Sequence, residues 1–258
     1  MTVVPPRIVT LTTDFGTGSN YVAEMKGRML HARSPFTIVD IAHDVPAHDV
    51  RAAAWLVARA CLAFPPDTLH VIVVDPGVGT ARRIVWVGAG GQQFLAPDNG
   101  VLTHVLATLP FAACHAVTVP PDVSATFHGR DVFAPAAAAL VDGIDPESLG
   151  PVASTLEMFP TPSPCETSRG IEGEVVHVDH FGNLLTNLPA ALLPRLIKAG
   201  RLIVGDTEVL AVVRTYGEAP PGKFVALVGS QGVIEAAVVQ GRASEALAAG
   251  VGTKVILP

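Results

Sequence analysis

The chain is poor in charged residues, aromatic residues and cysteine. Charged side chains make up 16% of its 258 residues and aromatic side chains 5%, whereas 49% of the residues are hydrophobic. The net charge is −6 and no run of lysine or arginine occurs, which argues against nucleic acid or an anionic membrane as the main partner. The apolar stretches are shorter than the roughly 18 residues that span a bilayer. What remains is ample material for one or two packed domains.

Cysteine usage and the N-terminal sequence indicate the cellular compartment of the protein. The three cysteines are odd in number and show no metal-ligand spacing; they are Cys61, Cys114 and Cys165. The N-terminal residues lack the charged region and the following apolar region that mark a secretory signal. Because disulfides are rare where thiols stay reduced, these features predict a reduced, cytoplasmic setting.

Motifs for metals and for phosphate are also missing. HExxH and CxxC do not occur, and His43, His48 and His70 form no compact ligand motif, so no metal is expected. Gly88–Gly91 follows a strand pattern but lacks the GxGxxG continuation into a helix, and no Walker-type GK[ST] is present. Asp14–Gly16 spells DFG without the other kinase motifs. A site for a polyphosphate is therefore not predicted.

Strand and helix patterns alternate through the first part of the chain. The predicted strands are Arg7–Thr13, Phe36–Ile41, Leu69–Val74, Ile84–Val87, Gln93–Ala96 and Ala116–Val119. Apolar residues at helical spacing predict helices after Ser19 or Asn20, after His48 or Asp49, after the turn at Pro97–Gly100, and over Val132–Val141. This alternation predicts an α/β domain, with a mainly parallel sheet that carries helices on both faces.

The pattern changes at Met158–Pro164, where three prolines in seven residues predict a linker. Short strands separated by Gly and Pro turns follow it, which predicts a smaller, β-rich and barrel-like C-terminal domain. We therefore expect an N-terminal domain over residues 1–157, a linker over 158–169 and a C-terminal domain over 170–258.

The most informative stretch is Leu69–Arg82, LHVIVVDPGVGTAR. Its β-branched run predicts a strand buried on both faces, as in parallel sheets. The run ends at Asp75, and the chain then turns through Pro76 and two glycines. Ligands of open α/β sheets bind beyond the carboxyl ends of the strands, so Asp75 is a candidate functional carboxylate. The alternative is an aspartate that only closes the turn.

Two further polar residues could join Asp75. Arg82 follows the Gly-rich turn, and His128 precedes the Ala-rich helix. If the three side chains converge, they could hold and polarise one water: the arginine would keep the carboxylate ionised, and the histidine could accept or relay a proton. The alternatives are a solvated arginine and a histidine that caps a helix or lies on the surface.

The C-terminal part carries its own candidate residues. Asp179–Asn187, DHFGNLLTN, places Asn183 beside Phe181 in a tight turn. An amide suits the edge of a nucleobase and an aromatic ring suits stacking on it, although an Asx-turn between strands explains the same residues. Tyr216 and Ser230 lie in loops, and Glu235 interrupts an apolar strand, where a carboxylate is costly unless it is paired or exposed.

Taken together, six segments resemble the S-adenosyl-L-methionine (SAM) hydroxide adenosyltransferase family, or SAM hydrolases, which are related to fluorinating and chlorinating enzymes. The segments occur in the family's order over almost the whole chain: TLTTDFG at 10–16, VVDPGVGTARR at 73–83, APDNGVL at 96–102, TFHGRDVFAP at 126–135, DHFGN at 179–183 and GSQGVIEAA at 229–237.

The resemblance implies a role for each matching residue. Asp75, Arg82 and His128 match the set that handles the attacking water. Asp14 matches the carboxylate that holds the ribose hydroxyls, Asp179 and Ser230 match positions at the methionine end, and Asn183 matches the residue at the adenine edge. The full set of implied substrate-binding residues is Asp14, Phe127, Asp179, Phe181, Asn183, Tyr216, Ser230, Glu235 and Val238. It also implies a homotrimer, with each site between one subunit's N-terminal domain and its neighbour's C-terminal domain.

The expected reaction is hydrolysis of SAM to adenosine and L-methionine by attack of water or hydroxide at C5′, with no cofactor. The halogenating branch carries Tyr where Asp75 stands and a halide-binding Ser where Gly129 stands. Because a carboxylate near the attack point repels a halide anion, Asp75 favours water. Halogenation of the same substrate and a non-catalytic adenosine-binding trimer are the alternatives. The chain departs from the expected pattern at His48, where an aromatic is common, and at Gln231, where the halogenating branch has Arg.

Overall fold

The computed structural model describes residues 4–258, which divide into two compact units. The first unit ends at Phe159, and the second runs from Pro160 to Pro258. Among the described residues, no helix combines the length and the apolar character needed to cross a membrane.

In the described part of the first unit, six strands form one sheet. Strands β1 to β6 are Ile8–Thr13, Thr37–Ala42, Leu69–Val73, Ile84–Ala89, Gln92–Pro97 and Phe111–Ala116. Their order across the sheet is β2-β1-β3-β5-β4-β6. The pairs β1–β2, β1–β3 and β3–β5 are parallel, whereas β4 runs antiparallel to both of its neighbours. The predicted mainly parallel sheet is confirmed.

Helices cover both faces of this sheet. Helices α1 to α4 are Tyr21–Met29, Val50–Ala60, Thr103–Thr108 and Ala134–Val141. One face packs on α1 and α4, with Met25 and Leu140 in the same buried cluster as Leu11. The other face packs on α2 and α3, with Val57 and Val105 buried in the second cluster. Strands β3, β4 and β5 are buried along their whole length, as the continuous apolar sequence of β3 predicts, whereas the edge strands β2 and β6 are partly exposed.

The register brings the ends of two central strands to one edge. Thr13 of β1 pairs with Val73 of β3. Asp14 follows the first of these residues directly, and Asp75 lies two residues beyond the second. Because parallel strands end at the same edge, both carboxylates emerge at the carboxyl end of the sheet, where α/β folds bind ligands.

Between Pro160 and Pro258, nine strands form a sheet that nearly closes into a barrel. Strands β7 to β15 are Cys165–Thr167, Gly170–Val178, Leu184–Pro189, Leu202–Val204, Thr207–Val209, Ala211–Val212, Phe224–Val228, Val233–Val238 and Lys254–Leu257. Two helices accompany them, α5 over Leu193–Ala199 and α6 over Ala243–Ala246. The predicted β-rich, barrel-like character of the second part is confirmed.

Three local predictions differ from the structure. The strand predicted over Ala116–Val119 lies earlier, over β6, because β6 pairs with β4 through its weak strand formers: Cys114 is opposite Val87 in the ladder. The sequence analysis does not predict strand β9, whose residues follow the tight turn at Phe181. Its pairing with β8 and β14 buries it in the middle of the second sheet. A short strand, β7, also lies within the segment 158–169 that the sequence marks as linker.

His70 is a fully buried titratable residue in the middle of β3. Its Nδ1 lies 2.8 Å from Thr10 Oγ1, and its ring stacks on Phe94 at 4.9 Å between centroids. Burial lowers the pKa of His70 from its ordinary value of 6.5 to about 4, against a smaller opposing effect of the neighbouring Gln92 side chain. The ring is therefore neutral in the folded protein at neutral pH.

We expect His70 to weaken the fold as the pH falls from about 6.5 to about 4. In that window the unfolded chain binds a proton at this ring and the folded chain does not, so acidification favours unfolding, by about 3 kcal/mol when complete. Urea unfolding at pH 7 and pH 5 should show the parent losing about 2 kcal/mol more than His70→Gln. Equal losses in the two proteins would contradict the assignment.

Candidate active site

Asp75 closes a turn and also faces an arginine. Its Oδ1 accepts the Gly77 N–H at 3.2 Å, and its Oδ2 accepts the Arg82 Nε–H at 2.8 Å and a second bond from Arg82 Nη2. Only 4% of the Asp75 side chain and 9% of the Arg82 side chain are exposed. Asp75 therefore closes the turn and also pairs with Arg82, and the ion pair is largely removed from water.

His128 completes a connected set of three side chains. Arg82 Nη2 donates to His128 Nδ1 at 2.9 Å, although the two residues are 46 positions apart. The histidine is buried, and its side chain makes no capping bond to the helical turn that follows it. Asp75, Arg82 and His128 thus converge, and the interpretations of a solvated arginine and of a capping or surface histidine are wrong.

The glycines of the turn permit this convergence. Gly79 has a φ of +77°, and a Cβ there would collide with the carbonyl oxygen of Ala125. At Gly77 a Cβ would lie 3.1 Å from Arg82 Cγ. At Gly79 only a residue without a side chain lets the turn pack against the segment that delivers His128, whereas a side chain at Gly77 would require the Arg82 stem to shift.

The protonation of His128 follows from its partner. Burial lowers the pKa of His128 below its ordinary value, and the charge of Arg82 lowers it further, against the opposing charges of Asp75 and Asp131. A guanidinium can only donate, so Nδ1 must be the acceptor of this bond. The neutral ring then carries its proton on Nε2, where it can act as a hydrogen-bond donor.

Hydrogen-bonding capacity remains unused in this set. Arg82 Nη1 is buried and has no hydrogen-bond partner among the described residues. Asp75 accepts three of the roughly four bonds that a carboxylate can take. A buried, unpaired guanidinium N–H is unusual in a folded protein. Arg82 Nη1 and the Asp75 carboxylate can therefore each take part in one further hydrogen bond.

The first unit also contains Asp14 and a cluster of aromatic side chains. Asp14 Oδ2 accepts the backbone N–H of His48 at 2.9 Å, and His48 has a left-handed backbone with φ +67°. Phe127, one residue before His128, packs edge-to-face on Tyr21 at 5.0 Å and on Phe15 at 5.9 Å. Tyr21 is half exposed. The sequence pointed to Phe127 but not to Tyr21, whose position on α1 carries no motif.

In the second unit, Asp179 and Asn183 bind each other. Asp179 Oδ1 accepts the Asn183 N–H at 2.8 Å, and Asp179 Oδ2 accepts Asn183 Nδ2–H at 2.9 Å. These bonds span four residues and close the turn between β8 and β9, which is a longer span than that of the Asx-turn considered from the sequence. Phe181 lies at the tip of the turn with 70% of its surface exposed. The turn presents an aromatic ring to its surroundings on a rigid backbone.

Tyr216 and Glu235 form a second polar pair. The Tyr216 hydroxyl donates to Glu235 Oε1, and the Glu235 carboxylate occupies the space that a side chain at Gly229 would fill. Burial raises the pKa of Glu235, and the charge of Asp179 raises it further, while the Tyr216 bond opposes both. Tyr216, also with a raised pKa from burial and from Glu235, is 41% exposed.

The remaining predicted residues lie close to this pair in sequence. Ser230 is exposed in the turn directly after Gly229, followed by the half-buried Gln231. Val238 is half-buried at the end of the strand that carries Glu235. The charge of Asp179 raises the pKa of both Tyr216 and Glu235, so these three groups lie in one region of the second unit.

No group of three or more His, Cys, Asp or Glu side chains in residues 4–258 is arranged to hold a metal ion.

Comparison with known families assigns the chain. Residues 9–150 match the SAM hydroxide adenosyltransferase N-terminal domain, and residues 173–256 match the C-terminal domain of the same family. The chain belongs to the SAM hydroxide adenosyltransferase family. All three residues of the Asp75 set lie in the first match, and the Asp179 and Glu235 regions lie in the second.

Individual relatives cover nearly the whole chain. The chain is 40% identical to a protein of Thermus thermophilus named (R)-S-adenosyl-L-methionine hydrolase, with 93% of this chain and 95% of that one covered. It is 37% identical to a protein of the same name from Salinispora tropica, with 95% of each covered. The crystal structure of an uncharacterized conserved protein from Thermotoga maritima matches with a TM-score of 0.87 at 36% identity, covering 96% of this chain and 98% of that one.

Proteins named fluorinase are more distant. One from an Actinoplanes species is 30% identical over 70% of this chain and 71% of its own length. The halogenating branch is therefore related to the chain, but over a smaller part of it than the SAM hydrolases are.

Proposed function

We propose that the protein hydrolyses SAM to adenosine and L-methionine. The observation that carries the proposal is the buried set of Asp75, Arg82 and His128, which has unused hydrogen-bonding capacity at the carboxyl edge of the sheet. Relatives named SAM hydrolase, at up to 40% identity, support the same activity.

The reaction is a displacement at the sugar carbon C5′. A water oxygen forms a bond to C5′, the bond from C5′ to the sulfonium sulfur breaks, and its electron pair stays on sulfur. Methionine leaves as a neutral thioether, so no acid is needed to protonate it. The proton of the water passes to Asp75 or to solvent. The protein must supply an oriented, partly desolvated water and a fixed substrate.

The geometry suggests a role for each of the three residues. Asp75 accepts a hydrogen bond from the water and directs its lone pair towards C5′. Arg82 holds Asp75 as an anion in a position shielded from solvent. His128, a donor at Nε2, fixes the orientation of the water. This differs from a histidine that accepts the proton, because Arg82 already occupies Nδ1 and the pKa of the ring is lowered.

Because a carboxylate is a weak base towards water, positioning contributes more than proton removal. Proton transfer then follows C–O bond formation, when the attached oxygen has become much more acidic.

Substrate contacts are proposed for residues of both units. Asp14 would bind the ribose hydroxyls, and Asn183 with Phe181 would bind and stack on the adenine. Asp179 and Ser230 would hold the methionine end; Phe127, Tyr216, Glu235 and Val238 would complete the pocket. The half-exposed rings of Tyr216 and Tyr21 and the exposed Phe181 support this, since aromatic surface of this kind is a common feature of binding sites.

We also propose that the protein works as a homotrimer without a metal, with each site made by two subunits. Its three cysteines, odd in number and without metal-ligand spacing, support action in a reducing compartment, the cytoplasm. The oligomeric state is measurable as the mass of the assembly in solution.

The direct test is to incubate the purified protein with SAM and to quantify adenosine and methionine. We expect equimolar release that survives a chelator. In ¹⁸O-labelled water, the label should appear in the adenosine hydroxyl, because the attack at C5′ forms that C–O bond. Absence of both products would contradict the proposal and favour a non-catalytic adenosine-binding trimer.

The halogenating alternative is tested in the same assay with added chloride or fluoride, by looking for 5′-halo-adenosine. We expect none. The structure supports this at Gly129, where a Cβ would lie 2.9 Å from Met25 Sδ and 3.3 Å from a Phe127 ring carbon. A halide-binding serine at this position would therefore require Met25 to move.

A further inference from the structure

The turn Pro97–Gly100, PDNG, adjoins the Asp75 set without belonging to it. It begins with the last residue of β5, the parallel neighbour of β3. The ladder between these strands ends with the pair Val71 and Leu95, so the last residues of β3 have no partner from β5 in that ladder. The carbonyl of buried Val74 is among the groups beyond the ladder.

Asn99 supplies the missing bond. Its Nδ2–H donates to the Val74 carbonyl at 3.0 Å, and its Oδ1 accepts the N–H of Val101 at 3.2 Å. Val74 directly precedes Asp75, so the amide fixes the peptide unit from which the Asp75 side chain departs. A buried carbonyl needs such a partner, and a rigid one restricts where the carboxylate can lie.

The same turn also fixes the chain next to Arg82. The Asp98 N–H donates to the Arg83 carbonyl at 2.9 Å, and the Asp98 carboxylate accepts Arg83 Nε–H at 2.9 Å. The other carboxylate oxygen accepts the Glu157 N–H at 2.8 Å. Adjacent residues of one turn therefore hold the positions directly before Asp75 and directly after Arg82.

We propose that Asn99 is a positioning residue for the attack of water, acting through Asp75. The inference rests on the proposed function. Asn99 touches neither Asp75 nor the substrate, and it sets the direction of the Asp75 carboxylate. Displacement reactions are sensitive to the position of the attacking group, since an error of about 1 Å can cost up to a hundredfold in rate.

The test is a double-mutant cycle. In the parent, Asn99→Ala should lower kcat about tenfold and leave KM and the affinity for adenosine within about twofold. The Asp75→Glu variant keeps the carboxylate but displaces it by one methylene. In this background, Asn99→Ala should lower kcat by less than about threefold, because the two residues act on one step. Asn187→Ala is the matched control: Asn187 also donates to a backbone carbonyl, that of Pro162 at 2.8 Å, and kcat should stay unchanged.

Each other outcome overturns the inference. Equal losses in both backgrounds would make Asn99 independent of Asp75, and an unchanged kcat would remove its role. A loss confined to KM would assign it to binding. If Asn99→Ala does not fold, Asn99→Ser is used, and failure of both to fold would make the residue structural only. A parent protein that releases no methionine would instead refute the proposed function itself.

Discussion

Asp75→Asn should reduce the turnover of SAM by on the order of a hundredfold or more, with the affinity for adenosine retained. The side chain keeps its size but loses its charge. In the parent, Arg82 Nε–H and Nη2–H donate to Asp75 Oδ2, and in the variant an Nδ2–H₂ group at that position would face these donors. The attacking water then faces a neutral amide in place of the carboxylate, and the guanidinium lacks its counter-ion in a buried position.

This variant separates the chemical step from binding. Initial rates of methionine release give kcat and KM, and isothermal calorimetry gives the affinity for adenosine. Asp206→Asn is a matched control, because Asp206 carries the same chemical change on an exposed turn of the second unit. It should behave as the parent does.

Normal turnover in Asp75→Asn would remove Asp75 from the mechanism. A loss of adenosine binding as large as the loss of rate would place the residue in the substrate pocket, not at the water. The unfolding midpoint should be measured beside the rates, since the pair with Arg82 is buried and its disruption is expected to be destabilising.

The second large effect concerns the assembly, and it is a gain of enzymatic activity. Two defective variants should restore activity when they are combined in one oligomer. Asp75→Asn damages the half-site of the first unit, and Phe181→Ala, at an exposed ring, should cost about ten- to a hundredfold in kcat/KM through lost stacking on the base. If each site uses the first unit of one subunit and the second unit of its neighbour, a mixed trimer contains intact sites.

Co-expression with two affinity tags and sequential purification yields the mixed oligomers. Each mixed trimer, whichever variant is in excess, contains one intact site in three, so the purified mixed oligomers should return about a third of the parent's activity. A combination of Asp75→Asn with His128→Ala is the control. Both changes lie in the same half-site, so no intact site can form and activity should not recover.

Recovery in neither combination would contradict a site shared between subunits and favour one built within a single chain. A monomeric mass in solution would contradict the shared site directly. These outcomes leave the hydrolysis of SAM untouched, since that is measured separately by product release.

The Leu69–Arg82 stretch shows how far local sequence reaches. Its apolar run predicts a buried strand, and the glycines predict the sharp turn, because both depend on residues that are neighbours in the chain. The two alternatives for Asp75 could not be separated in the same way. An Asx-turn is local, whereas the bond to Arg82 depends on how the loop folds back, and the structure shows that one carboxylate does both.

Residues outside obvious motifs were harder to predict. Tyr21 packs on Phe127 although more than 100 positions separate them, and Asn99 was interpreted only as part of a turn. Strand β6 was placed too late, because its residues are poor strand formers and its pairing with β4 outweighs that preference. In each case the deciding contact is long-range.

By itself, the sequence determined the class of the fold, the buried strands, the turns and the residue types available for chemistry. It did so because hydrophobic periodicity and glycine or proline positions act over a few residues. Only the tertiary structure decided that Arg82 and His128 meet, and therefore which ring nitrogen of His128 holds the proton. That decision required a contact across 46 residues, and sheet register and loop packing set such contacts, not local preference.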